Sequence, residues 1–302
     1  MTRLGIVGAG SFIGRAVADS LRQRYADEFE VREIDAKGDA WQGEDFLRYD
    51  SILHVAGVVP WALDRKKLGI ATTADEQAYL DSVNADLACE VAKKAKNEGV
   101  GHFAFLSTSD VYAKSDSADP LSMVDASTLP QPQSTYGKSK LKAEKLLQGL
   151  ESPDFSVALL RLPMVYGPNC TRGSFASLAK LAAKVPLFPN VHNARSTLFT
   201  GNLAELVRVL AVTKGAGVYL PQDSAWASTS QLVELLAEAQ GSRVRLVGWA
   251  SAPCGFLARH NATARKVFGN FRYDLNASNA ELGYQRFDLQ EAIRLSVANT
   301  PN

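Results

Sequence analysis

Short apolar runs alternate with helix-length amphipathic stretches through the first half of the chain. The apolar runs at residues 4–7, 30–34, 51–55, 103–107 and 157–162 predict strands, several with the near-continuous apolar character of strands covered on both faces. Between them, residues 12–25 repeat apolar side chains at Ile13, Val17 and Leu21. Residues 76–96 do so at Leu80, Val83, Leu87 and Val91, and residues 136–150 form a third helical run. Strands alternating with helices predict βαβ units and an α/β fold built on a doubly wound parallel sheet. After Leu162 the texture changes, with Pro163, Gly167, Pro168, Pro186 and Pro189 punctuating shorter elements. A boundary near residue 165 is expected, dividing 1–165 from a smaller C-terminal α/β unit at 166–302, some segments of which pack back on the first. Helices are expected there at 202–212, 229–238 and 289–297, with no repeat period.

Composition narrows the function classes. Thirty-three Lys+Arg against 32 Asp+Glu in 302 residues leave +1, so no sequence-wide charge calls for nucleic acid or an anionic membrane surface, and neither is expected as a partner. The uncharged run at 51–63 is shorter than a membrane span and contains Pro60. Gly5, Gly8, Gly10 and Gly14 break the N-terminal apolar run, so it reads as structure and not as a leader. Cys89, Cys170 and Cys254 are odd in number and scattered, which predicts neither disulfides nor a metal site and fits a reducing cytoplasm.

Gly8, Gly10, Ser11, Phe12, Ile13 and Gly14 follow the first strand and open the first helix. There, backbone N–H groups approach a pyrophosphate. Asp35 ends the next strand, 21 residues beyond Gly14, near the spacing at which a carboxylate accepts the ribose hydroxyls of NAD. Its charge opposes a 2'-phosphate, so NAD is expected before NADP, although Arg32 and Lys37 flank it. Alone Asp35 would read as a turn cap; with the glycine turn it reads as a Rossmann-type dinucleotide site.

Tyr136 and Lys140 are spaced i, i+4 and share a helix face. A phenol is a poor base at neutral pH unless a cation favours its anion, and Lys140 is that cation. Leu106-Ser107-Thr108-Ser109-Asp110-Val111-Tyr112 lies at the C-terminal end of a predicted strand, the edge at which open parallel sheets bind ligands. His54 and His102 stand without metal-ligating neighbours and carry no assigned role, and Trp61 and Trp226 read as core or pocket covers.

These motifs, together with His54-Val55-Ala56-Gly57, Asn84, Tyr136-Gly137-Lys138-Ser139-Lys140 and Arg161-Leu162-Pro163-Met164-Val165-Tyr166-Gly167-Pro168, resemble the extended short-chain dehydrogenase/reductase family of NAD-dependent nucleotide-sugar epimerases and dehydratases. The resemblance implies that Tyr136 exchanges a proton with the sugar C4 hydroxyl. Lys140 lowers its pKa and holds the nicotinamide ribose, and Thr108 hydrogen-bonds the reacting oxygen. It places Ser107 beside the nicotinamide, and Ala56, Gly57 and Pro163 along the cofactor cleft. It makes Arg195 the anchor of a UDP-linked diphosphate and implies a homodimer through the helices at 76–96 and 136–150. The alanines Ala85, Ala88, Ala92 and Ala95 suit such an interface or a sheet-facing helix equally.

Four departures qualify the resemblance. Ser11 replaces the family's middle glycine. Only 16 residues separate Ile34 from Ser51, so a strand or helix is abbreviated and Asp39 stands in as the adenine-side acid. Ser109 and Asp110 occupy the positions where dehydratases carry Asp and Glu, which disfavours dehydration and leaves both as substrate contacts. Met164 replaces a nucleotide-contacting Asn, for which Asn169 is the stand-in. The implied activity is a UDP-hexose 4-epimerase. A 4-keto-sugar or carbonyl reductase, and a non-catalytic NAD sensor, are the alternatives.

Overall fold

The computed structural model describes residues 1–112 and 123–298. Strands β1 (Thr2–Val7), β2 (Phe29–Ile34), β3 (Ser51–His54), β4 (His102–Thr108) and β5 (Ser156–Leu162) form a parallel sheet in the order β2-β1-β3-β4-β5. A sixth strand, Gly217–Tyr219, pairs with the outer edge of β5. Val7 lies opposite Ile34 on one side and His54 on the other. The connections therefore run in opposite directions from β1, the switch point at which such sheets take ligands.

Helices α1 (Phe12–Arg24), α2 (Thr73–Asp81) and α4 (Thr135–Gln148) start where side-chain oxygens satisfy orphan N–H groups, whereas α3 (Leu87–Asn97) has no side-chain cap. Ser11 caps α1 by accepting from the Gly14 N–H at 3.1 Å, and Ser134 caps α4 through the Gly137 N–H at 2.9 Å. Thr72 and Asp75 cap α2 reciprocally. The helix expected at 76–96 is α2 and α3 joined through a π-turn, Ser82–Asp86. Its alanines Ala85, Ala88, Ala92 and Ala95 are fully buried against the sheet core with Val91, Phe103 and Phe105. They serve the sheet.

The shortened passage between β2 and β3 contains only the 3-10 turns Ala40–Gly43 and Phe46–Arg48. Trp41, Phe46 and Tyr49 fill the sheet-side space there, packed with Ile34 and Ile52. Three large side chains thus bury the apolar face of a crossover that has no room for an α-helix.

Two compact units result. The first comprises residues 1–112, Leu129–Leu162 and Ala204–Tyr219, and the second comprises 123–128, Pro163–Leu203 and 220–298. The chain passes to the second unit at Pro163 and returns to complete the sheet of the first with Gly217–Tyr219. In the second unit, Met164–Tyr166 pairs with Thr197–Phe199, and Leu187–Pro189 with Arg245–Val247, both in parallel. Tyr166, Phe175, Phe188, Phe199, Leu236 and Ile293 lie in its core, to which the helices Gly173–Ala182, Thr229–Ala239 and Leu289–Ala298 contribute.

Candidate active site

The turn after β1 requires its glycines for two different reasons. Gly8 has φ +120°, and a Cβ there would stand 2.7 Å from the Ala56 nitrogen; Gly14 has no room because a Cβ would meet the Ser11 hydroxyl at 2.6 Å. Gly10 has φ +76° and is held by conformation more than by space. The result is a tight backbone cradle at the N-terminus of α1, directly beside Ala56 of the β3 loop. These features fit a dinucleotide pyrophosphate. Ser11 costs the cradle nothing in geometry, because its side chain is the cap of α1.

Asp35 is exposed at the end of β2, and its Oδ1 accepts from the Lys37 N–H at 3.0 Å. It caps a turn and presents a carboxylate at the ligand-binding edge together. Asp39 is exposed in the following loop and accepts from the Gln42 side chain at 3.1 Å.

At the end of β4, Thr108 caps the turn Ser109–Val111 by accepting from the Asp110 N–H at 3.2 Å. The first turn of α4 presses directly on this segment: a Cβ on Gly137 would fall 2.1 Å from the Asp110 carbonyl oxygen. Glycine at 137 is therefore what lets the first turn of α4 approach the Asp110 backbone. One turn along, Lys140 is buried, donates to the Leu106 carbonyl at 2.9 Å and lies 4.5 Å from the Phe105 ring centroid. A Cβ on Gly57 would stand 3.2 Å from its Nζ and 3.1 Å from the Asn84 Oδ1. Glycine turn, β3 loop, Thr108, Tyr136 and Lys140 thus gather along one carboxyl edge of the sheet.

The electrostatics differ from the expectation that Lys140 depresses the Tyr136 phenol. Burial pushes that phenol up, and the Asp110 carboxylate pushes it further. Lys140 itself is lowered by burial to about 8, with Glu144 opposing the shift. The cation is aimed at the Leu106 carbonyl, so its influence falls there first. Ser107 also departs from expectation: its hydroxyl is buried and donates to Glu144, not into the cleft.

Sequence reasoning missed the cluster behind these groups. The Glu144 carboxylate is buried and accepts from Ser107 and from Arg161 on β5, with Arg161 Nη2 at 2.6 Å; Arg161 Nη1 donates to the Tyr112 hydroxyl at 2.6 Å. Glu144 stands i+4 from Lys140 on the same helix face, the one available signal. Asn84, in the π-turn, accepts from the Val58 N–H at 2.7 Å and donates to the Val58 carbonyl and to Ser139. It ties the loop after Gly57 to α4. His102 is a packed residue, its ring nitrogens meeting the Ser51 hydroxyl and the Gly215 carbonyl.

Pro163, Asn169 and Arg195 belong to the second unit. Asn169 is exposed with φ +63°, a left-handed position that asparagine tolerates in a turn. Arg195 is half-buried, its backbone bridged to Ala227 and Phe271 and its Nη1 donating to the Gly269 carbonyl at 3.0 Å.

Known proteins resemble this chain in sequence and in fold. The sequence pattern of the NAD dependent epimerase/dehydratase family matches residues 4–219. A UDP-glucose 4-epimerase from Vibrio cholerae is 29% identical over 267 residues, covering 85% of this chain and 77% of that protein. Among solved structures, RMD from Pseudomonas aeruginosa complexed with NADPH superposes with a TM-score of 0.73 at 17% identity, covering 98% of this chain and 99% of that one. UDP-glucuronic acid 4-epimerase from Bacillus cereus in complex with NAD gives 0.70 at 16% identity, covering 98% of each.

Proposed function

The chain belongs to the NAD-dependent epimerase/dehydratase family, and we propose that it is an NAD-dependent nucleotide-sugar 4-epimerase acting on a UDP-linked hexose. The observation that carries this reading is the convergence of Tyr136, Lys140 and Thr108 at the carboxyl end of β4, beside a glycine cradle that fits a dinucleotide. The likeness to a UDP-glucose 4-epimerase supports the substrate class.

NAD, when bound, supplies a reversible acceptor for the C4 hydride. The turn of Gly8, Gly10, Ser11, Phe12, Ile13 and Gly14 would hold it, with Asp35 and Asp39 on the adenosine side and Ala56, Gly57 and Pro163 along the cleft. Tyr136 takes the C4 hydroxyl proton and returns it. Thr108, fixed by its bond from the Asp110 N–H, orients the reacting oxygen. The Lys140 ammonium offsets the negative charge that develops on the phenol, which burial otherwise opposes. Ser109 and Asp110 meet the sugar, and Arg195 and Asn169 meet the diphosphate and nucleotide. The assembly proposed is a homodimer through the helices at 76–96 and 136–150; at α4, Pro132, Lys138, Leu141, Lys142, Lys145 and Leu146 line a groove of about 410 Å³.

The test is incubation with catalytic NAD and a panel of UDP-hexoses and UDP-N-acetylhexosamines, following C4 configuration and reduced cofactor together. Interconversion of C4 epimers without net reduction is the expected result. Tyr136→Phe should lower turnover by about 10²–10⁴-fold, and a loss under about tenfold would remove the proton-transfer role. Net oxidation of NADPH by a 4-keto sugar, without interconversion, would assign a reductase instead.

A further inference from the structure

Residues 239–273 carry six Lys and Arg residues and no Asp or Glu, in a chain whose charges otherwise nearly balance. Within this stretch the helix Ser251–His260 is turned opposite to an ordinary surface helix. It buries the small residues Cys254 and Ala258 and leaves Phe256 64% and Leu257 50% exposed. Trp249, one turn before the helix, is 80% exposed. Arg243, Arg245 and Arg259 are exposed in the same stretch. Arg265 donates to the Ala258 and Arg259 carbonyls, which braces the end of the helix and holds its large apolar residues outward.

We propose that this face docks on an anionic membrane surface. Trp249, Phe256 and Leu257 enter the headgroup region, and Arg243, Arg245 and Arg259 meet lipid phosphates. Large apolar side chains turned to solvent mark a surface that something covers. The all-cationic character of the stretch opposes a second copy of itself and selects an anionic occupant. Aromatic and leucine side chains beside arginines, with no carboxylate among them, are the composition of helices that lie in the lipid interface. Among the described residues no helix is long and apolar enough to cross a membrane, so the attachment is peripheral.

The test uses the full chain in flotation with vesicles of phosphatidylglycerol and phosphatidylcholine in equal parts, against vesicles of phosphatidylcholine alone. Binding to the anionic vesicles alone is expected, weakening as salt rises and accompanied by a blue shift of tryptophan emission that Trp249→Phe removes. Phe256→Ser with Leu257→Ser should weaken binding at least about tenfold. Each of Arg243→Gln, Arg245→Gln and Arg259→Gln should weaken it roughly fivefold. Absence of binding to anionic vesicles at low salt overturns the proposal, as does undiminished binding of the double serine variant with an unchanged circular dichroism spectrum. Polyglutamate binding as tight as the vesicles without an emission shift would assign the face to an acidic protein and overturn it. Self-association without lipid that the double variant abolishes would assign it to a second copy.

Discussion

Glu144 in the first unit and Asp223 in the second are carboxylates buried at the centre of hydrogen-bond clusters, and the two are compensated in opposite ways. Glu144 in the first unit faces a guanidinium, Arg161, together with the Ser107 hydroxyl, and lies one helical turn from Lys140. Asp223 in the second unit is equally buried but accepts from neutral donors: the Phe199 N–H at 3.0 Å, the Asn202 side chain at 2.8 Å and the Thr197 hydroxyl at 2.9 Å. Burial therefore pushes the Asp223 carboxyl up, with those donors only opposing the shift. One carboxylate is ion-paired and ties together the strand ends that carry Ser107 and Arg161. The other fixes the Thr197–Phe199 strand to the loop at residue 223. The buried carboxylates of the first unit, Glu144 and Glu205, both meet arginines, whereas Asp223 is held by neutral donors.

The strongest test of this contrast is Arg161→Met. Removing the cation strands a buried carboxylate, and urea unfolding should register a loss of about 3–5 kcal/mol. Asp223→Ala leaves three buried donors without an acceptor but no unpaired charge, so about 2–3 kcal/mol is expected. If the two losses came out in the reverse order, the distinction between the clusters would fail.

Glu144→Gln sharpens the comparison through pH. Lys140 titrates at about 8 because burial disfavours its ammonium and Glu144 restores part of it. Turnover that needs the ammonium should fall above about pH 8, and in Glu144→Gln that alkaline limb should move down by up to about one unit. An unmoved limb in a folded variant would confine Glu144 to a structural role. The stability linkage has the matching sign. Lys140 is lowered from 10.5, so its burial penalty is full below about pH 8 and is relieved as pH rises toward 10.5.

The smallest effect belongs to Asp223→Asn. A carboxyl raised from 3.8 contributes stability that is full below that value and lost as pH rises through the raised one. At neutral pH the amide removes the buried charge while keeping one acceptor oxygen, so unfolding should lie within about 1 kcal/mol of the parent. A large loss would mean that the ionised carboxylate is required after all.

Much of the first unit was legible in one dimension. Apolar runs marked β1 to β5 because parallel strands covered on both faces bury every side chain. Gly8 and Gly14 were legible because a side chain at either has no place, and Tyr136 and Lys140 because helix periodicity puts them on one face. The Glu144–Arg161 pair was not legible, since its members come from α4 and β5 and meet only when the helix docks on the sheet. Nor was the use of Ser11 as a cap in place of a glycine, or the replacement of a crossover helix by Trp41, Phe46 and Tyr49.

The sequence by itself determined the order of elements, the position of the cradle and the candidate side chains of the site, since these follow from local period, local sterics and side-chain chemistry. Tertiary structure alone decided that the alanines of α3 face the sheet and that Ser107 turns to Glu144. It alone decided that burial, not Lys140, dominates the Tyr136 phenol, and that the helix Ser251–His260 shows its large apolar residues to solvent. Those outcomes depend on which surfaces meet and how much water leaves between them, and contacts between distant segments are not written in the spacing of residues along a chain.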